Sequence, residues 1–330
     1  MKARFNKQTI QRFVTFLVLL LIVTTLSLST DKFLTPLNIT NIFKQVSMVI
    51  IIASAANFVM ISGGLDLSVS GVMALSAVVM ANAAVAGYPL WMAMLFGVLI
   101  GVVVGFVNGS LVVFFRLTPV ITTIGTWYIT KGLAFVFSDG HSIVAGLPEG
   151  FDFVSTTRVG PIPLLVIIML LVFVVFYIIL NKTLLGKYTY AIGGNTETAR
   201  LSGINIGKIT CIIYILTSAM AGLAGVLMAS RLHAGDPNIG ASGIEFEVIV
   251  SIVIGGTSLS GGEGSLVGTF IGALIIGTLT NGMNLLGIGS IYQYIVEGAV
   301  LVIAVIIDLS LRGAGIDIKA MKAVFAKSQR

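Results

Sequence analysis

The sequence predicts an all-α polytopic membrane protein of about ten transmembrane helices, some broken or short, with both termini on the cytoplasmic side. Three observations carry this. Of the 330 residues, 57% are hydrophobic and only 10% are charged, where a soluble domain carries about 25% charged residues. Apolar runs recur that reach about 18 residues, the length that crosses a bilayer as a helix. The runs are continuous, whereas a membrane β-barrel alternates apolar and polar residues in short segments.

The first run, 10–28, follows Lys2, Arg4, Lys7 and Arg12. It exceeds a signal-peptide core of about 7–15 residues and no A-x-A site follows, so it reads as an uncleaved first span. Span two, 46–62, is shortened by Lys44 and Gln45 at its start. Span three, 65–86, opens behind Gly63-Gly64 with Asp66. Span four, 90–115, carries Gly97, Gly101, Gly105 and Gly109. The four-residue spacing sets them along one helix face, which lets a second helix approach closely. Such a face serves either as a sliding surface or as static packing. Span five is 119–137 and span six 163–180. Span seven, 209–230, and span eight, 244–260, follow, the latter with Glu245 and Glu247 at its start. Span nine, 265–286, repeats the glycine device with Gly264, Gly268 and Gly272, and span ten, 291–308, encloses Glu297.

Alternating these spans from an inside N-terminus puts 14 Lys and Arg inside and 5 outside, the five being Lys32, Lys44, Lys131, Arg158 and Arg231. That is the bias expected of cytoplasmic loops. It also explains the net charge of +6 without a nucleic-acid partner. The outside connections, 138–163 and 231–243, are too small for a soluble domain, so 1–330 reads as one membrane domain. The one sizeable polar loop is 181–209, basic and on the inside.

Catalytic motifs are missing. The single cysteine, Cys211, excludes an intrachain disulfide and a cysteine metal cluster. The stretch from Ser202 to Ile209 resembles a phosphate loop, but Gly203 stands too near Gly207 and Ile209 replaces the required Ser or Thr. The segment from Gly262 to Gly268 misses the dinucleotide spacing by one. No cofactor and no metal is expected on this chain.

Polar residues within the spans are few, and in lipid such residues face a cavity or a partner. Lys131 and Asp308 lie near span ends and can snorkel. Asn57, Asp66, Asn108, Asn281, Asn284, Gln293 and Glu297 remain as candidates for a translocation pathway, with Asp66 equally placed to cap free backbone N–H groups. A short echo joins 63–68 (GGLDLS) to 255–260 (GGTSLS). Internal repeats of transporters leave such marks, and so does chance in a chain with 38 glycines.

Four segments, 62–71 (SGGLDLSVSG), 190–208 (YAIGGNTETARLSGINIGK), 255–264 (GGTSLSGGEG) and 281–287 (NGMNLLG), together resemble the ribose-type permeases. These are the membrane subunits of ATP-binding-cassette importers for monosaccharides and related polyols. The resemblance covers about residues 40–310. It departs mildly at Ser70, where the family more often has glycine, and at Glu263, where a basic residue is frequent. It implies a bacterial inner-membrane protein that works with a second permease copy or paralogue, a cytoplasmic ABC ATPase using ATP and Mg, and an extracytoplasmic sugar-binding protein. It further implies that 193–205 holds a coupling helix, carried by Gly193, Gly194, Asn195, Glu197, Ala199, Arg200, Leu201, Gly203 and Asn205. The residues agree locally: Asn195 suits an N-cap, Glu197 the first turn and Arg200 the last. Thr198, Ala199 and Leu201 are expected to fill a pocket of the ATPase. The rival reading is a stand-alone sugar symporter, for which Asp66 and Glu297 are the fair ion-coupling groups. Few buried counter-charges suit a neutral solute, and the sugar itself is left open.

Overall fold

The computed structural model describes residues 7–241 and 243–311. It is all-α apart from a two-residue hairpin at Arg158–Val159 and Ile162–Pro163. Among the described residues six helices are long and apolar enough to cross a membrane: α2 (Pro36–Ile61), α4 (Leu90–Val113), α5 (Pro119–Phe137), α7 (Leu164–Lys182), α10 (Ile206–Leu232) and α12 (Leu266–Leu285). Shorter apolar stretches lie in α1 (Lys7–Ser29), α3 (Val69–Val85) and α13 (Ser290–Leu311). The remaining helices are α6 (Phe153–Thr156), α8 (Leu184–Gly194), α9 (Thr196–Leu201) and α11 (Ile244–Ile254). The chain is therefore a polytopic all-α membrane protein.

Helix α2 forms the centre. It begins ten residues before the expected start of span two, because Thr35 caps it (Asn38 N–H to Thr35 Oγ1, 3.3 Å) and Pro36 occupies its first turn. Its hydrophobic character runs all round, and every residue from Val46 to Ile61 is buried, as befits an interior helix. By contrast α4 buries only one stripe: Ala93, Gly97, Gly101, Gly105, Asn108 and Gly109. The stripe seats on α10. A Cβ on Gly105 would stand 2.6 Å from Ile215 Cα, and one on Gly109 2.8 Å from Cys211 Cα. This is backbone-to-backbone packing of the kind small residues permit. In the second glycine series, Gly268 and Gly272 abut the backbone of Gly255 and Ser251. Gly264 precedes α12 and packs instead on Ile61.

An internal repeat is visible in the backbone. Helix α2 ends at Gly63 (φ 86°) and α10 at His233 (φ 51°), each in the left-handed conformation. Both close the same two hydrogen bonds, Gly63 N–H to Met60 O with Gly64 N–H to Val59 O, and His233 N–H to Ser230 O with Ala234 N–H to Ala229 O. Three residues on, Asp66 and Asp236 each accept the backbone N–H two positions further, from Ser68 (2.9 Å) and Asn238 (2.8 Å). Helices α3 and α11 then end alike on left-handed Gly87 and Gly256. Packing follows the same exchange: α4 lies on α10 and α12 on α2, α3 on α4 and α11 on α12. The structural counterpart of GGLDLS is thus 233–238 (HAGDPN), not GGTSLS. The two echoing loops are instead neighbours in space, with Gly262 N–H bonded to Ile61 O at 2.8 Å.

Candidate functional site

The helix ends sort into two groups, and the polar loop occupies one of them. Most of 181–209 is helical, as α8 and α9. Asn195 caps α9 by accepting Thr198 N–H at 2.8 Å. Glu197 pairs with Arg200 on the exposed surface, a contact worth under about 1 kcal/mol. Gly203 (φ 81°) stops the helix, and Asn205 caps α10 through Lys208 N–H at 3.0 Å. Ala199 does not face outward as expected. Its position on the six-residue helix turns it onto Ile192 and Ile209, where it is buried. Leu201, 80% exposed, is the apolar side chain that α9 leaves uncovered.

The anchoring of α8 is tight. A Cβ on Gly193 would overlap the Ile61 carbonyl and come within 2.6 Å of Gly262 N. Gly194, next to it, has open space. Tyr190 donates its hydroxyl to Gly264 O at 2.9 Å. Through these contacts α8 touches both the end of α2 and the loop 255–264.

Asp66 lies above this junction, 5% exposed. Oδ1 accepts Ser68 N–H (2.9 Å) and Ser68 Oγ–H (2.6 Å), and Oδ2 faces Ser218 Oγ at 3.5 Å. Asn108 Nδ2 donates to Ser68 Oγ at 2.9 Å, and Tyr214 donates to Leu65 O at 3.2 Å. Since Ser68 is itself the residue before α3, Asp66 closes a turn one step ahead of the helix and ties it to α4 and α10.

The other pathway candidates divide. Asn57 is fully buried, donating to Thr269 Oγ1 (3.1 Å) and accepting from Thr257 Oγ1 (2.8 Å), which joins α2 to α12. Asn281 exchanges two hydrogen bonds with Asn38, at 3.0 and 2.9 Å. Asn38 fell outside span two as drawn from the sequence; the Thr35-Pro36 start signal marks the helix that contains it. Asn284 Oδ1 accepts Gln293 Nε2–H at 2.7 Å, joining α12 to α13. Of the seven, Glu297 alone lines a cavity of about 500 Å³ between α5, α11, α12 and α13. Its other polar walls, Trp127, Lys131, Glu245 and Glu247, carried no pathway role in the sequence reading. Lys131 looked like a span-end cation and the two glutamates like span limits.

A bundle of apolar helices with a glycine-locked polar loop at one end defines a multi-pass membrane permease. The chain belongs to the family described as the branched-chain amino acid transport system / permease component, whose sequence pattern matches residues 38–305. It is 42% identical to the ribose import permease of Bacillus subtilis, over 89% of this chain and 91% of that one. It is 40% identical to the D-allose transport system permease of Escherichia coli, over 89% and 90%. It is 36% identical to the L-arabinose ABC transporter permease of Azospirillum brasilense, over 91% and 88%. No solved structure matches the chain.

Proposed function

We propose that this chain is the membrane-spanning permease subunit of an ABC importer for a neutral monosaccharide, a pentose or hexose of ribose type. The observation that carries the reading is the likeness, over about nine-tenths of the chain, to permeases for ribose, allose and arabinose. The seat of α8 against two loops supports the mechanical part. In this reading α9 docks on a cytoplasmic ATPase, which binds ATP and Mg, and α8 passes the movement to the ends of α2 and α12. Rigid helix groups then rock between outward and inward openings, as transporters built from repeats do. A second permease copy or paralogue completes the path, and an extracytoplasmic sugar-binding protein delivers the solute. The chain is one domain in the bacterial inner membrane.

Ten crossings with both termini inside fit this assignment. The six long helices and three shorter apolar ones supply nine. Helix α11 with the loop 255–265 supplies the tenth, a broken one. The coupling helix, the 62–68 loop and the 255–264 loop then share the cytoplasmic end, and the basic residues concentrate there.

Reconstitution tests this. Vesicles holding the permease, its ATPase and its binding protein should accumulate an aldose only with ATP inside the partner's compartment. Uphill uptake by the permease alone, driven by an ion gradient, would establish the symporter instead.

A further inference from the structure

We propose that the cavity between α5, α11, α12 and α13 is a holding site where Trp127, Lys131, Glu245, Glu247, Tyr294 and Glu297 grip a neutral polyhydroxylated solute; this rests on the importer reading above. At about 500 Å³ it lies within the usual 300–1,000 Å³ range of small-molecule sites. It sits beside the N-terminal turns of α11 and α13 and the C-terminal half of α5. That is the end opposite the coupling helix, where solute arrives.

The wall has an excess of acceptors. Glu245 is 6% exposed, yet its Oε2 has no hydrogen-bond partner among the described residues. A buried carboxylate oxygen left unpaired is costly, so it calls for a donor from whatever fills the space. Glu297 and Glu245 are the charged neighbours of Glu247, and Glu297 receives a hydrogen bond from Thr280 at 3.4 Å. Three carboxyl groups and one cation, Lys131, thus line the same cavity. The lysine Nζ sits 5.5 Å from the centre of the Trp127 ring, a cation–π contact that fixes both on α5 one turn apart. Among the described residues no group of three His, Cys, Asp or Glu is placed to hold a metal ion, so the acceptors are not set for one.

A sugar meets these requirements together. Its hydroxyls donate to the carboxylates and accept from the lysine, while its C–H face lies on Trp127 or Tyr294. A sugar phosphate fails, because its charge would stand among three carboxylates at short range.

The chain holds two tryptophans, so Trp91→Phe leaves Trp127 as the sole tryptophan, read by exciting at the red edge where tyrosine does not absorb. In lipid nanodiscs this permease should show a saturable change of emission with at least one of D-ribose, D-xylose, L-arabinose, D-allose and D-galactose. D-ribose 5-phosphate should leave emission flat. Adding Glu245→Gln with Glu247→Gln should raise the half-saturating concentration in emission about tenfold and lower the maximal rate of ATP-driven uptake by the whole importer. The site is overturned if emission ignores all five sugars while the parent importer carries one of them, or if the double variant titrates in emission and transports at maximal rate as the parent does. Failure of the parent importer to carry any of the five with ATP would overturn the importer reading, and the site with it.

Discussion

Gly193 and its neighbour Gly194 should respond oppositely to the same substitution. A Cβ on Gly193 would overlap the Ile61 carbonyl and stand 2.6 Å from Gly262 N, where ordinary contact begins at 3.4 Å. Helix α8 would have to retreat by roughly 0.8 Å from Gly262 alone, and further from Ile61. Both obstacles are backbone, so no change of rotamer relieves them. Overpacking of this kind costs about 1–3 kcal/mol. If the seat of α8 transmits the ATPase stroke, Gly193→Ala should lower sugar uptake at least about tenfold, the equivalent of 1.4 kcal/mol. Gly194→Ala meets nothing within 4 Å and improves helix propensity, so it should transport as the parent does. Uptake and sugar-stimulated ATP hydrolysis would be measured together in proteoliposomes, with gel filtration reporting on folding. Equal behaviour of the two variants, or a fully active Gly193→Ala, would refute the transmission argument.

Three other perturbations test separate contacts. Asp66→Ala strips the acceptor from Ser68 N–H and Ser68 Oγ–H and should cost about 1–3 kcal/mol, seen as a lower melting temperature and impaired assembly or uptake; a fully active variant would make Asp66 dispensable. Asn38→Ala and Asn281→Ala should each destabilise by about 0.6–1.7 kcal/mol, the range of hydrogen bonds between membrane helices, and the double variant should be little worse than either. Leu201→Asp alters an 80% exposed side chain, so the melting temperature should hold while stimulation of the ATPase falls.

What could be read from the sequence follows from which signals are local. Apolar run length revealed the helical class, and Asn195 revealed the cap of α9, because both depend on neighbours in the chain. The start of α2 was missed because Lys44 and Gln45 were weighted above the Thr35-Pro36 start signal. The inward turn of Ala199 was missed for a different reason: which side of a six-residue helix is covered depends on Ile192 and Ile209, outside that helix. The repeat shows the limit most plainly. Two loops that match in letters, 63–68 and 255–260, are neighbours rather than counterparts. The true counterpart of the first, 233–238, shares backbone conformation and one aspartate. A left-handed residue three positions before an aspartate can be Gly63 or His233, so the letters diverge while the turn persists.

The repeat also explains where coupling could be attached. The two equivalent turns lie at opposite ends of the bundle, since each follows a helix that runs the other way. At Asp66 the turn is buried and cross-braced by Asn108 and Ser218 from α4 and α10. At Asp236 the side-chain hydrogen bonds stay within 236–238, and the turn is tied outward only through backbone bonds between Gly235 and Ile143 of the 138–163 connection. A force applied at the Asp66 end therefore reaches α3, α4 and α10 through side-chain hydrogen bonds, whereas the Asp236 side chain bonds to no helix among the described residues. Helices α8 and α9 are inserted between the two halves and bear on the braced end, through Gly193 on Ile61 and Tyr190 on Gly264. Just beyond the Asp236 turn, Ala241 and Gly243 line the cavity of α5, α11, α12 and α13, so in the importer reading proposed above one half of the repeat takes the push and the other the solute.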